Sequence, residues 1–321
     1  MLAAVRDTYG PPEAIEVRRM PRPAPAATEV LVRVYAATVN RTDCANLTGR
    51  PFVMHLVLGI GKPRSARIGT DFAGEVVACG AAVSRYRVGD RVCGFRDGGI
   101  GGQAEYLTVA EDGPLMTIPA ELPYDVAAAS LEGAHYAYGF IRRAELRRGT
   151  RLLVNGATGA IGSAVLQFAA THELDITATA RGEDVAAVSA MGADRVIDYT
   201  REDFSEGGER YDYVIDAVGK STFGRSRRVL TERGSYTSSE LGPYSQNPLL
   251  ALYTPWRDGQ KVLFPIPYPV RESFPYIRRH LEEGTFRPLI DRSYPLGEIR
   301  EAYRYVMRGQ KRGNVVVRMA D

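Results

Sequence analysis

The stretch Leu152-Leu153-Val154-Asn155-Gly156-Ala157-Thr158-Gly159-Ala160-Ile161-Gly162 constrains the fold of this chain more than any other segment. It reads as an apolar strand, a glycine-rich turn and the start of a helix. In that setting Gly159 lets the backbone approach a pyrophosphate, and Gly162 lets the helix lie against the strand. The helix N-terminus adds unsatisfied N–H groups and partial positive charge. Gly156, Ala157, Thr158, Gly159, Ala160 and Ile161 are therefore the expected cofactor contacts. Ala157 stands where such turns usually begin with glycine, and Gly156 precedes it. A lone glycine triplet would equally suit a structural turn, so the sequence that follows carries the argument. A helix is predicted over 161–172, then strand 176–179, helix 184–191, and strands 195–197, 213–216 and 235–237, with 262–264 as a candidate last strand. Short apolar strands separated by helices imply right-handed βαβ units and a parallel sheet.

The first third has a different character. Glu29-Val30-Leu31-Val32-Arg33-Val34-Tyr35-Ala36 alternates as a half-buried strand does, and 70–78 and 91–95 read as further strands. Turn signals such as Val88-Gly89-Asp90 separate them, which suggests a compact β-rich domain. Past the parallel sheet come helices near 276–283 and 297–307 and a closing strand, Asn314-Val315-Val316-Val317-Arg318. At 321 residues, one large or two medium domains are the natural expectation.

Composition excludes several classes of function. The 41 basic and 38 acidic residues leave a net charge of +3, which gives no reason to expect nucleic acid or an anionic membrane as partner. The run Arg225-Ser226-Arg227-Arg228 reads as a solvated helix face. Three cysteines, Cys44, Cys79 and Cys93, cannot build a disulfide framework or a four-cysteine zinc lobe. Neither a signal peptide nor a membrane-spanning run is legible, and a reducing, cytoplasmic setting is expected.

The end of the second strand of the parallel sheet speaks to the cofactor. NAD sites place an acidic residue there, about 20 residues after the turn, to hold the ribose 2′-hydroxyl. Here the strand ends Thr179-Ala180-Arg181-Gly182. Arg181 can pair bidentately with a 2′-phosphate, so NADPH is the expected cofactor. The plainer reading is an exposed loop arginine, with Glu183 and Asp184 as the acidic first turn of the next helix.

Taken in order, these segments resemble the medium-chain dehydrogenase/reductases, in the zinc-independent, quinone-reductase-like branch. The resemblance rests on Glu29-Val30-Leu31-Val32-Arg33-Val34, Val39-Asn40-Arg41-Thr42-Asp43, Gly69-Thr70-Asp71-Phe72-Ala73-Gly74-Glu75-Val76-Val77, Val88-Gly89-Asp90-Arg91-Val92, the glycine turn, and Met191-Gly192-Ala193-Asp194-Arg195-Val196-Ile197-Asp198-Tyr199. It implies an α/β protein with a GroES-like β-rich catalytic domain, here 1–124 with 266–321, and a Rossmann doubly wound parallel-sheet cofactor domain, here 125–265. It also implies an active site in the cleft between them. By the same resemblance Tyr199 lies near the adenosine 2′-phosphate, Val218 beside the ribose, Ser238 and Ser239 near the cofactor, and Asn314 toward the nicotinamide. A homodimer is implied, with Lys261-Val262-Leu263-Phe264 as the pairing edge strand and Pro265 and Pro267 ending it. Zinc-bearing relatives carry Cys at the position of Asn40 and His at that of Thr70. An amide and a hydroxyl do not replace those ligands, so no metal is expected.

Without a metal, hydride transfer to a small-molecule substrate needs a donor to steady the developing oxyanion. Asn40 is the first candidate, or it simply closes its loop. Leu131-Glu132-Gly133-Ala134-His135-Tyr136 is the second region, on a predicted helix. Tyr136 or His135 could deliver a proton, or His135 is a hydrogen-bonded core residue. The quinone-reductase pattern has Tyr and Arg where this chain has Ala45 and Leu47. The apolar loop 51–66, with Phe52, Met54, Leu56, Leu58 and Ile60, reads as core packing or as a lid over a hydrophobic substrate. The leading expectation is NADPH-dependent reduction of an enone, a quinone or a simple carbonyl. The alternatives are a zinc-independent alcohol dehydrogenase-like enzyme and an NADPH-binding regulatory protein with little turnover.

Overall fold

The computed structural model describes residues 1–264 and 268–319. Pro265 and Pro267, expected to end an edge strand, lie outside the described residues. The chain divides into two compact units, one of Met1–Glu132 with Ile290–Asp321 and one of Gly133–Leu289.

In the first unit, β1 (Leu2–Val5) and β2 (Glu16–Arg19) form an antiparallel hairpin. Strands β3 (Glu29–Val39), β4 (Asp71–Cys79), β5 (Arg91–Phe95), β6 (Tyr106–Ala110), β7 (Leu115–Thr117), β14 (Ile290–Pro295) and β15 (Asn314–Arg318) make a seven-stranded sheet. Its order is β14-β15-β3-β4-β5-β7, with β6 also pairing β3; β14 and β15 run parallel and the other pairs antiparallel. Inward Val30, Val32 and Val34 of β3 meet Phe72, Val76, Leu107 and Val315 in one core. Helices α1 (Arg41–Thr48), α2 (Met54–Leu58), α3 (Tyr124–Ala129) and α10 (Ile299–Met307) complete the unit. On α10, Ile299, Ala302, Tyr303 and Val306 are buried at helical spacing, the apolar stripe that docks a helix on a core.

The second unit holds β8 (Arg151–Asn155), β9 (Asp175–Ala180), β10 (Arg195–Asp198), β11 (Tyr211–Asp216), β12 (Leu230–Ser238) and β13 (Lys261–Leu263). All pairs are parallel, in the order β10-β9-β8-β11-β12-β13. Counted along the chain that is 3-2-1-4-5-6, the dinucleotide-binding order, with the crevice where the strand order reverses. Helix α4 (Glu132–Ala144) precedes the first strand, and α5 (Ala160–Ala169), α6 (Val185–Ala190), α7 (Phe223–Ser226), α8 (Gln246–Tyr253) and α9 (Val270–Glu282) join the strands or follow them. The short α7 ends inside the arginine run, at Ser226, with Arg227 and Arg228 following it, and Arg225 pairs with Asp203.

Two features move the junctions later than the composition shifts near 124 and 265 suggest. Helix α3 packs on β3 and β4, so the first unit continues through it. Tyr276 and His280 of α9 pack against Phe168 of α5, the first edge-on and the second tilted, so the second unit runs on past that helix. Helix α9 also begins earlier than 276. Its interior Pro275 argues for a break in sequence, yet Phe274 and Ile277 are buried on either side of it.

Candidate active site

In the second unit, the turn between β8 and α5 is shaped by two glycines. Gly156 adopts φ +84°, a left-handed conformation that side chains resist. A Cβ on Gly162 would lie 2.2 Å from the Gly156 carbonyl oxygen, so only glycine lets the helix start there. Gly159 caps α5 without a side-chain bond, and a Cβ on it would meet nothing closer than 3.5 Å. The first-turn N–H groups of α5 have no intrahelical acceptor. Thr158, Gly159 and Ile161 are part-exposed beside them, Ala157 is buried and Ala160 is 7 % exposed. Such a helix start is suited to a pyrophosphate.

The turn is pinned from below by polar groups that the sequence reading did not single out. The Gly156 N–H donates to Thr179 Oγ1 (3.0 Å), and the Thr179 hydroxyl donates to Asn155 Oδ1 (2.7 Å). Asn155 Nδ2 donates to Asp216 Oδ1 (2.9 Å). Asp216, fully buried at the end of β11, also accepts from the Gly219 and Ser221 N–H groups at 3.0 and 2.8 Å. The signal was present: Asn155 and Asp216 are polar residues closing apolar strands, where a buried side chain must find partners.

Arg181 follows β9 and is exposed; it lies 3.6 Å from Glu183, and a hydrogen bond with Tyr199 raises its pKa further. Tyr199 is half exposed, so Arg181 and Tyr199 form an open pair at the tips of β9 and β10. Val218 is part-exposed after β11. Ser238 is buried with its hydroxyl accepting from the Glu240 N–H, and the Ser239 N–H donates to the Asp216 carbonyl. Arg181, Tyr199, Val218, Ser238 and Ser239 thus share the C-terminal edge of the sheet with the glycine turn.

Asn40 and Asn314 lie in the first unit, both buried. Asn40 caps α1: its Oδ1 accepts the Asp43 N–H (2.8 Å), while Asp43 Oδ2 accepts the Asn40 N–H (3.1 Å). Its Nδ2 donates to Thr70 Oγ1 at 2.9 Å and, at 3.5 Å, to Thr38. This is the loop-closing arrangement, with the amide largely committed. Asp71 accepts from the Thr38 N–H and hydroxyl. Burial pushes Asp43 and Asp71 above the usual carboxylate range. Asn314 opens β15.

Helix α4 carries the remaining candidates. His135 is 2 % exposed, its Nδ1 lies 2.8 Å from Ser273 Oγ, and burial lowers it to about 4. A histidine held neutral and bonded in this way fits the core role rather than proton delivery. Tyr136 is half-buried, its ring edge-on to His135. Glu132 is buried, accepts from the Thr42 hydroxyl (2.8 Å), and is pushed up from 4.5 to about 7 by burial. Between those pH values the native state binds more protons at this group than the unfolded chain, so its contribution to stability falls as pH rises. Glu132→Gln should match the parent near pH 4.5 and exceed it by on the order of 2 kcal/mol above pH 7. Urea unfolding across that range checks it; a pH-independent difference refutes it. In the 51–66 loop, Phe52, Leu56 and Ile60 are exposed and only Leu58 is buried, so core packing does not account for its apolar residues.

Two family descriptions match the chain: an alcohol dehydrogenase GroES-like domain over residues 26–120 and a zinc-binding dehydrogenase over residues 191–317. A quinone oxidoreductase of Pseudomonas aeruginosa is 31% identical over 238 residues, covering 72% of this chain and 70% of that protein. The chain belongs to the medium-chain dehydrogenase/reductase superfamily. Within it the chain is an oxidoreductase of the zinc-independent, quinone-oxidoreductase-like branch. An NADPH-dependent alkenal/one oxidoreductase of Arabidopsis thaliana chloroplasts is 27% identical over 300 residues, 90% of this chain and 72% of that protein. The structure of a quinone oxidoreductase from Coxiella burnetii superposes with a TM-score of 0.85 at 26% identity, covering 100% and 99% of the two chains. The zinc in the second family description does not fit these residues. Asn40 and Thr70 bond to each other, and among the described residues no group of three His, Cys, Asp or Glu side chains could hold a metal ion. The glycine turn and the reversal in strand order do fit a nicotinamide dinucleotide. Among the described residues no helix is long and apolar enough to cross a membrane.

Proposed function

We propose that this chain reduces an activated carbon–carbon double bond of an enone or quinone, or a simple carbonyl, with NADPH. The observation that carries the reading is the glycine turn at the reversal of strand order, where a Cβ on Gly162 would strike the Gly156 carbonyl. The names of the relatives, a quinone oxidoreductase and an NADPH-dependent alkenal/one oxidoreductase, support the substrate class. Bound NADPH supplies the hydride.

The chain supplies binding, orientation and proton handling. Backbone N–H groups at Ala160 and Ile161 hold the pyrophosphate, with Gly156, Ala157, Thr158 and Gly159 shaping the turn. Arg181, with Tyr199 beside it, holds the 2′-phosphate through charge-assisted bonds. Val218, Ser238 and Ser239 border the ribose, and Asn314 belongs to the nicotinamide end. The Tyr136 hydroxyl is the candidate proton donor on α4. Asn40 is a positioning residue that fixes the start of α1. The first unit is the catalytic domain and the second the cofactor domain. The exposed Phe52, Leu56 and Ile60 support a lid over an apolar substrate. The edge position of β13, with Leu252 and Trp256 exposed nearby, supports a homodimer.

Nucleotide titration followed by an assay of nicotinamide absorbance with enones, quinones and aldehydes tests this reading. NADPH should bind, and an enone or quinone should turn over. Arg181→Ala should weaken NADPH by ~10-fold or more and leave NADH unchanged. A preference for NADH sinks the role of Arg181. Binding without turnover of any acceptor favours a regulatory protein instead.

A further inference from the structure

A cavity of about 400 Å³ lies in the first unit, between α1 and the 51–66 loop. A second hollow of about 560 Å³ shares Arg6 and Arg64 with it. The residue that sets its chemistry is Arg6. It follows β1, where its backbone N–H donates to the Ala66 carbonyl (2.8 Å), and its side chain turns inward, leaving the residue 4 % exposed. Among the described residues the guanidinium makes no hydrogen bond and no ion pair, and its Nε is buried without a partner. The ring of Tyr9 lies 5.3 Å from the guanidinium carbon, and Tyr303 and Asp43 are near enough to act on its charge. A buried, unpaired cation is costly enough that a stable fold normally gives it a counter-charge.

Two residues that line the same cavity also carry unsatisfied acceptors. Asp43 Oδ1 and Asn46 Oδ1 are buried without partners. The other polar atom of each side chain is engaged, Asp43 Oδ2 by the Asn40 N–H and Asn46 Nδ2 by the Asp97 carbonyl. Three further arginines surround the space. Arg64 and Arg96 each spend one nitrogen on a backbone carbonyl, and Arg67 makes no side-chain hydrogen bond or ion pair among the described residues. The cavity therefore offers a cationic fork, two orphan acceptors and a basic surround, all held by one unit.

We propose that this cavity binds a small hydroxylated oxyanion, a carboxylate or phosphate group with an O–H on it or next to it. The fork of Arg6 matches paired anionic oxygens, and the hydroxyl donates to Asp43 Oδ1 or Asn46 Oδ1. A neutral ligand leaves Arg6 unbalanced. A bare anion leaves the Asn46 amide oxygen, which can only accept, without a donor. Arg64, Arg67 and Arg96 draw anions toward the opening. Because Asp43 divides its two oxygens between the cavity and the Asn40 cap, occupancy of the cavity bears on the start of α1.

The test uses the full chain without nucleotide, titrated calorimetrically with inorganic phosphate, lactate and acetate in a chloride buffer of constant ionic strength. Phosphate or lactate should bind with a Kd of ~1 mM or tighter, and acetate about 10-fold more weakly. Whichever of phosphate and lactate binds identifies the source of the oxyanion. Arg6→Met should lose ~10-fold or more of that affinity. It should also melt higher than the parent in chloride alone, since it removes an unpaired buried charge, and show no further rise with the anion. Arg67→Ala, changed at a part-exposed side chain, should keep its fold and bind more weakly. The proposal is overturned if no anion binds beyond chloride, if acetate equals lactate, or if Arg6→Met binds as tightly as the parent. The measurement needs neither NADPH nor turnover, so it stands or falls apart from the reductase reading.

Discussion

Gly162→Val should abolish nucleotide binding and cost about 3 kcal/mol of stability. The valine Cβ would lie 2.2 Å from the Gly156 carbonyl oxygen and 3.0 Å from the Ala157 Cα. Both are backbone atoms of the same turn, so no side chain can swing aside. The turn must open or α5 must slide, and α5 is buried along nearly its whole length. Sliding would break the contact of Leu166 and Phe168 with the core, while opening the turn would scatter the N–H groups at Ala160 and Ile161. Gly159→Ala separates the two effects. Its Cβ would meet only the Gly156 oxygen, at 3.5 Å, an ordinary contact. Stability should therefore stay within ~0.5 kcal/mol, while the methyl stands where the pyrophosphate approaches and weakens NADPH binding. Urea unfolding and nucleotide titration on both variants check this. Full nucleotide affinity in Gly162→Val would refute the assignment of the turn.

The parallel sheet was legible where its strands are short apolar runs bounded by turn residues, as in β8 and β10; β12 was read only at 235–237, because Glu232 and Arg233 break its apolar run. The antiparallel unit was read less completely. Strands β1, β2, β6 and β7 have three to five residues each, too short for alternation to stand out. Helix α1 was hidden in plain sight. Asn40 and Asp43 form a capping box, a signature readable at their spacing, but the segment read as a motif for chemistry rather than as a helix start. His135 shows the opposite limit. Sequence spacing put it beside Tyr136 on α4, yet its role depends on Ser273, 138 residues away in the chain, and no local pattern reveals that partner. The same holds for Arg6, whose burial without a counter-charge is a property of the packed unit alone.

Asp216→Ala should cost about 3–5 kcal/mol and weaken nucleotide binding by ~10-fold or more. The carboxylate is fully buried and is the common acceptor for Asn155 Nδ2, the Gly219 N–H and the Ser221 N–H, with the Tyr236 hydroxyl at 3.3 Å. Removing it leaves several donors without a partner in a site too buried for water to replace all of them at once. Each orphaned donor costs about 1–3 kcal/mol, less than additively because the neighbours relax together. The damage then runs along the chain of bonds. Without Asp216, Asn155 is free to rotate, its Oδ1 no longer orients the Thr179 hydroxyl, and Thr179 no longer fixes the Gly156 N–H. The turn loses its anchor although none of its own residues has changed. Asp216→Asn distinguishes this from loss of packing: it preserves shape and one carbonyl acceptor but turns an amide toward a backbone donor. It should fall between the parent and the alanine variant in both stability and affinity. Asp216→Ala within ~1 kcal/mol of the parent, with nucleotide affinity intact, would mean the turn is held by its glycines and helix alone.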